Sequence, residues 1–111
     1  EALPGSGHPT VHPDGRHILT DTYVGELRDR VPAGVADDHT PIRWLDLDRE
    51  TEEALLWIPT RTPAQATESV LRVDPHPAWS RDWSMAMVNT FADGSRRPLV
   101  LRMDEVLERS R

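Results

Sequence analysis

The sequence predicts an all-β chain made of a sheet module that occurs twice and ends in a short helical turn. Three observations carry this expectation. Ten prolines in 111 residues is about twice ordinary usage, and proline at that density breaks long helices. Short runs rich in β-branched and aromatic residues alternate with turn residues, the pattern of strands joined by tight connections. The stretch Gly7–Tyr23 also recurs, without a gap, as Pro75–Phe91.

The elements follow in order. Residues 1–7 are an irregular lead-in, and His8–His12 is a short extended run. Pro13-Asp14-Gly15 is a turn, because proline presets φ and glycine accepts the positive φ that closes it. Ile18–Tyr23 alternates and reads as a strand. Residues 24–40 are polar, with the Asp37-Asp38-His39 cluster, and read as a long excursion. Ile42–Leu47 is a second strand, Asp48–Thr51 an acidic turn, and Ala54–Ile58 a third strand. Residues 59–69, rich in Pro, Thr and Ala, are a loop. Val70–Val73, His76–Ser80, Met85–Phe91 and Leu99–Met103 complete the strands. Asp104–Arg111 is helical, with Asp104 as N-cap and Glu105 and Glu108 in its first turns.

Composition removes several functions. All thirteen basic residues are arginine, and nineteen acidic residues bring the net charge to −6. The resulting pI near 5.2 argues against a nucleic-acid partner, which would call for a basic face. The longest apolar run, Ala54–Ile58, is far short of the roughly 20 residues of a membrane-spanning helix. No cysteine is present, which removes disulfides, thiolate zinc sites and a cysteine nucleophile. The given residues open at Glu1 without a charged-then-apolar leader, so the expectation is that either processing or fragment preparation removed what came before, and a cytoplasmic location is slightly favoured. Apolar residues are 37 % of the chain, a modest supply, but four tryptophans can still anchor a core.

The repeat sharpens the fold. His8 meets His76, Pro9 meets Pro77, Asp14 meets Asp82 and Thr22 meets Thr90, all at an offset of 68. Leu45-Asp46 and Met103-Asp104 are matched further on, at an offset of 58, with the 24–39 excursion absorbing the difference. A unit repeated in this way cannot bury its faces alone. Four strands per unit, with turns in these places, make the blade of a β-propeller. The expectation is therefore a propeller fragment of about two four-stranded blades, blade one about 8–58 and blade two about 70–104. Bare sheet faces require the remainder of the ring, from the same chain or other copies. Trp44, Trp57 and Trp79 are expected between blades. Asp14 and Asp82 are expected to cap turns, Asp21 and Asn89 to hydrogen-bond within their blades, and His12 and His17 to lie on the surface.

The run His8-Pro9-x-Val11-x-Pro13-Asp14-Gly15-Arg16, with His76-Pro77-x-Trp79-Ser80-x-Asp82, resembles the TolB/PD40 class of propeller repeats. The Ala92-Asp93-Gly94-Ser95 turn and Ile42–Leu47 fit the second half of that repeat, whereas Arg81-Asp82-Trp83 replaces its Pro-Asp-Gly. Within the class, the histidines are most similar to the last blades of the oligogalacturonate lyases. That likeness implies a polysaccharide lyase that performs metal-assisted β-elimination on uronic-acid oligosaccharides with a divalent metal, usually manganese. The family's ligands are one His opening a blade and a Gln-x-x-His-x-His-Pro cluster opening the next. His8 and His76 fall on two of these positions; Asp74 stands for the middle His, and Leu71 replaces the Gln. The implied metal ligands are thus His8, Asp74 and His76, with Arg72 near the cavity as a substrate-binding residue. The resemblance places the catalytic base on an earlier blade, outside these residues. The rival expectation is a non-catalytic TolB-like propeller that binds a protein or glycan and uses the histidines structurally. In either case the first strands of adjacent blades would bring the two imidazoles together, and Asp74 points the same way as His76 if that stretch is extended.

Overall fold

The computed structural model describes residues 7–22, 33–35, 39–60, 73–92 and 94–110. Their order is β1 (Thr10–Val11), β2 (His17–Thr20), β3 (His39–Asp46), β4 (Thr51–Pro59), β5 (Ala78–Trp79), β6 (Met85–Ala92), β7 (Ser95–Arg102) and α1 (Asp104–Arg109). They form two open antiparallel sheets, β1-β2-β3-β4 and β5-β6-β7. The all-β expectation is met. The second unit, however, has three described strands rather than four, and α1 follows β7 directly. Residues 70–72 lie outside the described residues. Val73 is buried but lies in no strand, and Pro75 and Pro77 after it have no N–H to donate to a ladder.

The two sheets repeat one another bond for bond over their first hairpins. Thr10 pairs with Leu19 and Val11 with Ile18. At the offset of 68, Ala78 pairs with Met87 and Trp79 with Ala86. The turns match as well: His12 N–H donates to His17 O at 2.9 Å, and Ser80 N–H to Met85 O at 2.8 Å. Asp14 Oδ1 accepts from the Arg16 N–H at 2.8 Å, and Asp82 Oδ1 from the Ser84 N–H at 3.1 Å, so both aspartates cap turns as expected. Gly15 sits at φ 70° and Trp83, its counterpart, at φ 63°. The left-handed turn is therefore a property of the module. A tryptophan there bears the steric cost that glycine avoids, about 1–2 kcal/mol.

The third strand of each unit obeys a different offset from the expected one. His17 pairs with Asp46, whereas Met85 pairs with Arg102. Leu47 N–H donates to Arg16 O and Met103 N–H to Ser84 O. Asp46 therefore corresponds to Arg102 and Leu47 to Met103, an offset of 56 rather than 58. Asp104 is consequently past the strand. It is the first residue of α1, whose N-cap is Met103 with no side-chain cap, so Asp104 is not the N-cap. It still favours the helix by placing negative charge in its first turn.

Leu19, Ile42, Trp44 and Ile58 of the first sheet bury against Ala86, Val88 and Met103 of the second unit, with Trp79, Val106 and Leu107 packed around them. At about 25 cal/mol per Å² of apolar area, each fully covered Leu or Ile contributes about 1.5–3 kcal/mol. Thr90 Oγ1 ties the sheets by donating to Pro59 O at 2.6 Å. Trp44 and Trp79 take their expected places. Trp57 does not belong to this cluster: it lies across from Pro41, one residue out of phase with Leu56 and Ile58. The phase is disturbed further along β3, where the register shifts between Ile42 and Arg43.

Candidate functional site

The chain enters the first module through Gly7 at φ 101°. A Cβ there would run into the carbonyl and carboxylate of Asp21, so only glycine lets the backbone pass. The next residue, His8, is fixed by Asp21 twice. Its N–H donates to Asp21 Oδ1 at 2.6 Å, and its ring Nδ1 lies 3.0 Å from Oδ2. The same carboxylate crosses to the second module, where His76 N–H donates to Oδ2 at 3.0 Å. Asp21 is 1 % exposed, and Arg43, also buried, donates to its carbonyl at 3.4 Å. Arg43 in turn pairs with Glu52 at 2.9 Å.

This arrangement brings the imidazoles of His8 and His76 together, with centroids 3.6 Å apart and planes inclined at 34°. The two histidines occupy equivalent positions in the repeat, but their backbones differ. His76 adopts φ 46° immediately before Pro77, where the left-handed region is disfavoured for any side chain and a following proline restricts the residue further. Strain of this kind, of order 1–3 kcal/mol, persists only where the surroundings enforce it. Here the enforcing contact is the Asp21 carboxylate on the His76 N–H.

The remaining expected site residues fare differently. Asp74 is half-buried; its carbonyl accepts from Asn89 Nδ2 at 3.3 Å. Among the described residues, no three His, Cys, Asp or Glu side chains meet in a metal-binding arrangement. Arg72 lies outside the described residues. So do Leu71 and the Asp37-Asp38 pair; His39 opens β3 across from Pro59.

Asp21 is the residue that sequence reasoning undervalued. Asn89, its repeat partner, does bond within its own module. Asp21 instead joins the two. The signal was present in the alignment, since a carboxylate stands where the second module has an amide, and a carboxylate offers more acceptor sites to donors arriving from two sides.

A second polar cluster lies at the other end of β2. His17 is buried, not on the surface. Its ring stacks on Trp44 at 4.8 Å and 6°, and Nδ1 lies 2.7 Å from Asp14 Oδ2. Nε2 has no hydrogen-bond partner and lies 3.6 Å from Asp46 Oδ2. Arg16 clasps Asp46 with both Nε and Nη2, at 2.8 and 2.6 Å, and this pairing holds the Asp46 carboxyl far below the usual carboxylate range. Burial works to raise Asp14, but the His17 ring and the N–H groups of Arg16 and His17 outweigh it and pull it far down. A cavity of about 590 Å³ opens beside this cluster, lined among others by His12, Arg16, Asp48, Trp83 and Leu107. The second module has Ser84, Met85 and Arg102 at the positions of Arg16, His17 and Asp46, so the cluster belongs to one module and not to the repeat.

Comparison with known protein families, curated proteins and solved structures finds no match for this chain.

Proposed function

We propose that this chain contributes two blades to a propeller-type lyase that cleaves uronic-acid oligosaccharides by metal-assisted β-elimination. The observation that carries the reading is the imidazole pair, drawn from equivalent positions of two modules to a centroid distance of 3.6 Å. Asp21 favours the tautomer of His8 that carries its proton on Nδ1, so that Nε2 is the nitrogen suited to ligation; a carboxylate behind a ligand histidine is the usual second partner of such sites. His76 supplies the other nitrogen. Asp74, two residues before it, is the nearest carboxylate along the chain on the second module. This nitrogen and oxygen donor set suits manganese and similar divalent ions. A divalent ion held there would draw off the negative charge that builds up as the proton α to a uronate carboxylate departs. Arg72 is assigned the second carboxylate contact of the substrate, for which a guanidinium fork is well shaped.

The Asp21 contacts also favour a second reading. A buried carboxylate that satisfies one histidine ring and two backbone N–H groups is what a purely structural joint between modules would need. In that case the chain is part of a non-catalytic propeller that binds a protein or glycan.

Manganese titration followed by thermal unfolding separates the two. The lyase reading expects Mn²⁺ to raise the unfolding midpoint of the parent chain but not of His8→Ala or His76→Ala. With the native polypeptide and oligogalacturonides, it also expects growing ultraviolet absorbance from unsaturated uronate product. A midpoint indifferent to Mn²⁺, with no absorbance change, establishes the structural reading instead.

A further inference from the structure

The repeat register identifies one sheet face that is built for burial and has nothing on it among the described residues. In the first module, His17 and Leu19 of β2 and Trp44 of β3 share the face that packs on the second module. They are 4 %, 0 % and 4 % exposed. The hydrogen-bond register makes Met85, Met87 and Val100 their counterparts, and these are 42 %, 48 % and 57 % exposed. Met87 and Val100 are direct cross-strand partners, so the apolar side chains form one patch. What covers the first module's face is the opposite face of the next module, presenting Ala86 and Val88.

We infer that the Met85–Met87–Val100 face is the seat of a third sheet module of the same repeat, docked as the second module docks on the first. The occupant is set by continuity with the existing interface. A neighbouring module must offer small apolar residues at the positions of Ala86 and Val88, because Leu19 and Trp44 use that geometry one step earlier. A second copy of this chain does not match it from its first module, where the bulkier Ile18 and the polar Thr20 stand at the positions of Ala86 and Val88 and where Thr20, Arg43 and Leu45 are already 2 %, 4 % and 6 % exposed. The inference rests on the repeat register alone and stands whether or not the histidines bind metal.

The absence of cysteine provides a clean test. Met85→Cys, Met87→Cys and Val100→Cys are made singly, with Val11→Cys, exposed but off the patch, as reference. Maleimide labelling rates are measured in the native polypeptide as its source produces it and in the 111-residue chain alone. The expected result is that in the native polypeptide the three patch thiols label at least tenfold more slowly than Cys at position 11. In the isolated chain they label at rates similar to it. Patch thiols that label as fast as the reference in the native polypeptide overturn the inference. So does protection that appears in the isolated chain only as its concentration and apparent mass rise together, because the occupant is then a second copy.

Discussion

Replacing Asp21 by alanine removes the acceptor for three donors at once: the N–H of His8 at 2.6 Å, the His8 ring nitrogen at 3.0 Å and the N–H of His76 at 3.0 Å. Each donor is partly buried, and a buried donor without a partner costs about 1–3 kcal/mol. Some water entry at the vacated site offsets this, so the expected loss is about 3 kcal/mol. In a domain near 100 residues that corresponds to a fall in the unfolding midpoint on the order of 15 °C. The repeat supplies its own control. Asn89→Ala changes the equivalent position of the second module but removes only an exposed contact to the Asp74 carbonyl at 3.3 Å, and is expected to cost less than about 1 kcal/mol. Urea denaturation of the three proteins decides the matter. If Asp21→Ala and Asn89→Ala unfold at the same urea concentration as the parent, Asp21 is not the joint between the modules.

Three further outcomes follow from the same contacts. Gly7→Ala and Gly15→Ala both place a side chain at positive φ, but Gly15 faces open space while a Cβ on Gly7 meets Asp21. Gly15→Ala should therefore cost only the conformational penalty of about 1 kcal/mol, and Gly7→Ala clearly more, by urea midpoint. The Ser84 and Ser80 hydroxyls lower the Asp82 carboxyl to about 2, and a depressed folded-state value means stability present above the unfolded value near 4 and lost as pH falls through about 2. Urea midpoints should thus drop between pH 4 and 2, and Asp82→Ala should flatten that dependence relative to the parent. Arg16→Ala should lower the urea midpoint at neutral pH and flatten the acid loss, because the Arg16 guanidinium is the main cause of the depressed Asp46 value and without it the folded and unfolded values converge; an unchanged pH profile would show that the pair is not formed in solution.

Most strand positions were legible because alternation and turn chemistry agree locally. The Pro13-Asp14-Gly15 turn, the β-branched run around Ile18 and the close of β6 onto β7 at Ala92 and Ser95 all give the same answer at the level of residue type and of pairing. The 68-residue offset was legible for the same reason: it aligns turn residues, which report backbone geometry directly. The offset of the third strand was not. Leu-Asp and Met-Asp look alike in sequence, yet pairing is decided by the N–H of Leu47 and Met103 on the preceding turn, a contact that no residue type announces. Among the described residues the second module ends its strands at β7 because the chain passes directly from Met103 into α1, and the prolines at 75 and 77 after Val73 have no N–H to give to a ladder. His17 escaped because a polar residue beside a turn reads as surface. Its burial depends on Trp44 and Asp46 arriving from β3, across the excursion. The histidine pair was legible only through the repeat, and its supporting carboxylate at Asp21 only through the three-dimensional contacts.

The central claim is that His8 and His76 form one joint site. The most direct measurement is the line-broadening of histidine ring resonances as paramagnetic Mn²⁺ is added at substoichiometric levels to the folded chain. The account predicts that the His8 and His76 signals broaden together and first, while those of His12, His17 and His39 persist. Broadening of His12 or His17 ahead of this pair, or of no histidine at all, would contradict it.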